Sequence, residues 1–320
     1  MTTRTRSIGV DLAGIALATP VLIASGCAGT GTELNGLVEL RRVGGIVSRT
    51  ITGEARDGSP PPRIVESPAG VVWDTGLQNP GVDAFVATEL PALAATPPSV
   101  FVSIAGGTLE EYVRIVGVLQ GRAGVSAIEV HLSGPDRELE RPVLGVHVDR
   151  VTEVVGAVAR MSLVPVFAKL PGGVDVVPLA VAAARAGASG LTLCASPPAL
   201  AIDAAATRPA LGAVGGWLSG PALKPMTLRA VAEVHRALPR MPLVASGGIR
   251  TATDAVEAML AGASAVQVGT ATLVDPAATV TIAKGIVAEL QRRALGSPAD
   301  LRGAVAIIGS PAPVHQGQGA

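Results

Sequence analysis

Two glycine turns carry the sharpest chemical signal in the sequence. Ser246-Gly247-Gly248-Ile249 follows the short apolar run Leu243 to Ser246, and Gly269-Thr270 follows Ala265 to Val268. A glycine turn at the end of a buried strand lets backbone amides approach an anion closely, and two in succession near the end of a barrel form its usual phosphate cradle. The same glycines would also serve a plain tight connection, so they predict phosphate and say nothing of redox chemistry. Lys169 ends a second apolar run, Val164 to Lys169, where a cation is costly unless it meets a ligand or a carboxylate. Two cysteines, Cys27 and Cys194, and four histidines show neither metal-ligand spacing nor a disulfide framework, so no metal is expected.

These groups need a parallel sheet to hold them. Eight apolar runs alternate with segments of helical period: Val21 to Ser25, Gly45 to Ser48, Ser99 to Ile104, Ala127 to Leu132, Val164 to Lys169, Gly190 to Cys194, Leu243 to Ser246 and Ala265 to Val268. Helices are expected at Thr32 to Arg41, Val82 to Ala95, Leu109 to Arg122, His147 to Arg160, Val177 to Ala186, Leu228 to Leu238, Thr253 to Leu260 and Ala277 to Arg293. The strands are too apolar to face water on either side, as in a sheet covered by helices. The reading is an α/β chain, a (β/α)8 TIM barrel over residues 1–294, with an N-terminal β-hairpin over about 8–18 and a loosely packed C-terminal tail over 295–320. An open doubly wound sheet is the alternative, weakened because no G-x-G-x-x-G occupies the first βα turn. Segments 49–81 and 195–225 are long and follow strand ends, where barrel enzymes place their chemistry.

Composition narrows the class. At 48% hydrophobic and 16% charged, with glycine and proline spread throughout, the 320 residues read as globular. The 25 basic and 25 acidic residues balance without a basic block, so neither nucleic acid nor a membrane surface is expected as partner. A small molecule or another protein is. Arg4 and Arg6 precede an uncharged run that ends in Leu22-Ile23-Ala24-Ser25-Gly26-Cys27, which resembles a lipoprotein signal. Asp11 and Pro20 interrupt it, and the hairpin around Ala13-Gly14 is the better reading, with a cytoplasmic location.

Ala24-Ser25-Gly26-Cys27, Pro62-Arg63, Gly76-Leu77-Gln78-Asn79-Pro80-Gly81, Ala168-Lys169-Leu170, the run Leu218 to Pro225, Ser246-Gly247-Gly248 and the run Ala261 to Thr270 together resemble the class 1 dihydroorotate dehydrogenases. The likeness is greatest to the flavin-bearing catalytic subunit of the NAD-linked type and runs from about residue 8 to residue 290. It implies an FMN-binding barrel. Its phosphate would meet backbone at Ser219, Gly220, Gly247, Gly248, Gly269 and Thr270, its ring would lie along Ala24, Ser25 and Gly26, and Lys169 would stand at the N1 and C2 carbonyl edge. The resemblance also implies a homodimer and a separate electron-transfer subunit.

The substrate half departs from the family. Asn-x-Ser-Cys-Pro-Asn reads here His131-Leu132-Ser133-Gly134-Pro135-Asp136, so the catalytic cysteine has become Gly134. Family asparagines fall at Trp73 and at Ala195, next to Ser196, and the second-strand lysine at Ser48, which the resemblance counts among the cofactor-binding positions. Those departures point away from orotate. His131 and Asp136 become the candidates for proton transfer alongside Lys169, with Trp73, Ala195, Ser196 and Trp217 lining an apolar, aromatic substrate site. Each also has a structural reading: a bonded strand-end histidine, a solvated aspartate, a tryptophan packed on the barrel mouth. His147 is read as a helix-start residue and Cys194 as core. The functional expectation is an FMN-dependent oxidoreductase moving hydride to or from a small non-orotate molecule. Alternatives are a silent flavin or phosphate-binding subunit, a non-redox barrel holding a phosphorylated metabolite, and a dihydroorotate dehydrogenase with a different base.

Overall fold

All eight expected strands form and close on one another in the computed structural model, which describes residues 8–29, 32–34, 36–134 and 143–305. They are β1 (Val21–Ile23), β2 (Gly45–Val47), β3 (Ser99–Ile104), β4 (Ala127–His131), β5 (Val166–Pro171), β6 (Gly190–Ala195), β7 (Leu243–Ser246) and β8 (Ala265–Val268). Each pairs in parallel with its neighbours, and β8 closes on β1 through Val266 opposite Val21 and Val268 opposite Ile23. Their outer faces are covered by α1 (residues 82–94, with a π segment at Phe85–Glu89), α2 (Leu109–Leu119), α3 (Val148–Met161), α4 (Val176–Arg185), α5 (Lys224–Ala237), α6 (Ala252–Ala261), α7 (Thr270–Val274) and α8 (Ala278–Arg292). Strands buried on both faces are mostly apolar, which is why they read as hydrophobic runs.

The floor of the barrel is dry. A two-stranded hairpin, Val10–Leu12 with Ile15–Leu17, turns at Ala13-Gly14 and inserts Leu12 and Leu17 among Leu22, Val47, Phe101, Phe167 and Val244. Phe101 and Phe167 meet edge to face with centroids 5.5 Å apart. Alternation along a strand then sends the residues two positions on, Ser103, Glu129, Lys169, Ser246 and Gln267, into the layer above.

Several expectations need correction. The helix at Thr32 to Arg41 is instead two short 3-10 turns, Thr32–Leu34 and Leu40–Arg42, with Gly36 between them at a φ of 82° that no α-helix accommodates. β5 runs two residues later than expected, because Leu170 and Pro171 still pair with Leu193 and Ala195 on β6, so Lys169 lies within the strand and not at its end. Residues 295–305 are not a loose tail: Leu301 is fully buried, and the amides of Gly303 and Val305 donate to the carbonyls of Met259 and Leu260. The long segments carry their own strands. Ile64–Ser67 pairs with Gly70–Trp73, which pairs with Gly216–Ser219, which pairs with Pro198–Ala199, so the two loops are knitted into one antiparallel sheet above the barrel.

Candidate active site

A cavity of about 1340 Å³ opens between the barrel's upper layer and this cap sheet. That exceeds the usual volume for one drug-sized ligand and leaves room for two side by side. It reaches from the glycine turns after β7 and β8, past Ala24, Ser25 and Gly26, to the underside of the cap.

At one end Ser219, Gly220, Gly247, Gly248, Gly269 and Thr270 all line the wall. Gly248 is required by its surroundings: its φ is 77°, and a Cβ there would stand 2.3 Å from the backbone nitrogen of Lys224. A backbone drawn this close around an open space fits the phosphate of FMN. α6, which follows, is capped by Thr251, whose hydroxyl accepts from the Asp254 amide while Asp254 accepts from the Thr251 amide at 2.8 Å.

The cavity floor is a buried polar network. Lys169 Nζ donates to Glu129 Oε1 and to Gln267 Oε1, each at 3.1 Å; Glu129 Oε2 accepts from Thr192 Oγ1 at 2.8 Å and from Gln267 Nε2 at 2.5 Å. Lys169 is 7% exposed and Glu129 is fully buried. Lys169 pairs with a carboxylate and also lines the cavity. An ammonium has three donors, and two are used here, which leaves one for a ligand acceptor. Glu129 and Gln267 were missed in the sequence; alternation puts Glu129 on the same face as His131, two residues on, but says nothing of the partners it meets there.

His131 lies opposite Lys169 on the adjacent strand and lines the cavity. Burial first, and then the Lys169 charge, push its imidazole down to about 4, so it is neutral near pH 7. A neutral imidazole has a nitrogen free to take a proton. Burial likewise drives the Cys27 thiol up to about 11, partly opposed by Lys169, which leaves it protonated and unreactive. Cys194 is buried, its thiol near Thr227 on α5, and the residue also contributes to the cavity wall. Ser133, also in the wall, has a buried hydroxyl without a hydrogen-bond partner. At Gly134 an added Cβ would meet no atom of the described residues within 4 Å.

The cap supplies the aromatic cover. Trp73 and Trp217 stand opposite each other in the antiparallel pair, and both line the cavity. Trp73 Nε1 donates to Ser219 Oγ at 2.7 Å, and Ser219 Oγ lies 2.6 Å from Ser196 Oγ. Ala195 ends β6 beside them. The structure thus brings together every described candidate except Ser48. That hydroxyl faces away, donating to the Arg49 carbonyl and accepting from the Ser103 amide, and the cavity wall is formed instead by Arg49 and Thr50. Arg49 pairs with Glu89 at 3.3 Å and also lines the cavity, so it adds a cationic side chain to the wall. His147 precedes α3, outside the cavity wall, and Asp136 lies outside the described residues.

Comparison with known proteins points to the dihydroorotate dehydrogenases, with relatives described as the B (NAD(+)) type and one as a putative A (fumarate) type. The family model described as dihydroorotate dehydrogenase matches residues 7–290. The chain is 44% identical over 296 residues to a dihydroorotate dehydrogenase B (NAD(+)), catalytic subunit, of Desulforudis audaxviator, covering 92% of this chain and 96% of the relative. A protein of the same description from Geotalea daltonii is 41% identical over 301 residues, covering 94% and 98%. Another, from Geobacter sp., is 42% identical over 299 residues, covering 93% and 98%. Among the described residues no helix is long and apolar enough to cross a membrane.

Proposed function

The chain belongs to the dihydroorotate dehydrogenase family and is an oxidoreductase of it, and from that premise we propose that it binds FMN in the barrel-mouth cavity and serves a small substrate other than dihydroorotate. The observation that carries the second half is the replaced substrate wall: glycine at position 134, tryptophan at 73, alanine at 195. A site built to hydrogen-bond a polar ring loses orders of magnitude in rate when its partners vanish. An indole pair over a neutral histidine instead favours a flat, largely apolar ring, with Arg49 available for an anionic substituent.

In this reading Gly247, Gly248, Gly269, Thr270, Ser219 and Gly220 would hold the phosphate by backbone, and Ala24, Ser25 and Gly26 would lie along the ring. Lys169 would offer its remaining donor to the flavin, and a fixed positive charge there would favour the reduced form. Bound FMN supplies a two-electron acceptor or donor. His131 takes or returns the substrate proton at an imidazole nitrogen, with Asp136 the second candidate for proton transfer, and Trp73, Trp217, Ala195 and Ser196 exclude water from the substrate face. The relatives' description as catalytic subunits supports a separate electron-transfer partner. A homodimer in the cytoplasm completes the reading. The test is to denature the purified protein and identify the released cofactor by mass: one FMN per chain is expected, and a protein that carries none and takes up none overturns the proposal.

A second reading has its own support. Similarity to dihydroorotate dehydrogenase B catalytic subunits covers more than nine-tenths of the chain, which favours dihydroorotate itself with His131 in place of the cysteine.

A further inference from the structure

We infer that Glu129 is a positioning residue for Lys169, and that its carboxylate sets how much of the lysine's charge reaches a flavin bound in the cavity. The inference rests on the FMN reading above and extends it to a residue that touches neither ligand. Glu129 does not line the cavity, whereas Lys169 and Gln267 do. Its carboxylate is fully buried in the same layer, with both oxygens engaged: Oε1 by Lys169, Oε2 by Thr192 and Gln267. Gln267 closes the circuit by accepting from the same ammonium. Four strands, β4, β5, β6 and β8, each contribute one member.

Two consequences follow from that arrangement. A lysine side chain has many rotamers, and two anchors on different strands select one, which aims the third donor. The field of an ammonium with a carboxylate 3.1 Å behind it also falls off faster than that of an ammonium alone. Reduced flavin carries more negative charge than oxidised flavin, so the pair favours reduction less than a lone lysine would. Lys169 stands nearer the ligand than Glu129, so the offset is partial. A purely structural ion pair would share the burial and the bonds but would leave the potential of the bound flavin unmoved.

The test uses the FMN-loaded full chain and reads the midpoint potential against a reference dye. Glu129→Gln keeps the shape and removes the charge; its potential is expected to rise, the reduced-to-oxidised ratio at a fixed dye potential increasing at least tenfold, about 30 mV for a two-electron couple. Thr192→Val removes one bond to Oε2 without a change of charge and is expected to lower thermal stability while leaving the potential in place. Should Glu129→Gln fail to fold, the exchange Glu129→Gln with Lys169→Gln leaves no unpaired charge, and its potential is expected below the parent's; an equal or higher value overturns the inference. FMN-loaded Glu129→Gln with the parent's potential overturns it as well. A parent chain that binds no FMN overturns the reading of the site, and this inference with it.

Discussion

Lys169 and His131 divide the chemistry of the cavity floor, and each predicts a measurement. Replacing Lys169 by Met leaves Glu129 buried without its cation, so a cost of about 3–5 kcal/mol is expected in urea unfolding. Adding Glu129→Gln to that variant should recover most of the loss, a coupling that a double-mutant cycle reads directly. His131 is held at about 4 against an ordinary value of 6.5, so between those limits the folded chain binds fewer protons than the unfolded one. Its contribution to stability is therefore fully present above pH 6.5 and is lost as the pH falls toward 4. The stability difference between the parent and His131→Gln should shrink across that window; a difference flat with pH would mean that the imidazole is not held neutral. The same variant should retain FMN and lose turnover. His131 was legible in the sequence because it broke a known motif. Glu129 was not, since a carboxylate inside a five-residue apolar strand becomes interpretable only when the residues facing it from three other strands are known.

At the scale of elements, the site depends on two long loops finding each other. Gly70 makes that possible: a Cβ there would lie 2.3 Å from the Ser219 carbonyl oxygen, so the two backbones pair closely only without a side chain. Gly70→Ala should part the sheet between Gly70–Trp73 and Gly216–Ser219, free Trp73 from Ser219 and expose segments 49–81 and 195–225 to limited proteolysis. Parent-like resistance of both segments would show that the sheet is not what closes the cavity. The barrel strands were readable one at a time, each being a short run buried on both faces. The cap was not, because its strands are short, partly exposed and paired across 146 residues of sequence. The same limit explains Ser48 and Arg49: which of two adjacent residues faces the cavity depends on where β2 ends, and it ends at Val47.

Over the whole molecule the barrel separates stability from function along its axis. The hairpin plug at the bottom is apolar and remote from the glycine turns at the top. Leu12→Ala should therefore cost about 2–5 kcal/mol by the cavity it opens among Leu22, Phe101 and Phe167, with the amount of FMN bound per folded chain unchanged. Loss of FMN in proportion to stability would show that floor and site are one cooperative unit. The central claim, an FMN barrel whose substrate wall no longer suits dihydroorotate, is tested most directly by anaerobic mixing of the freshly purified protein with dihydroorotate while the visible spectrum is followed. The account predicts a flavin spectrum that dithionite bleaches and dihydroorotate does not. Rapid bleaching by dihydroorotate would contradict it and return the chain to the chemistry of its named relatives, despite Gly134.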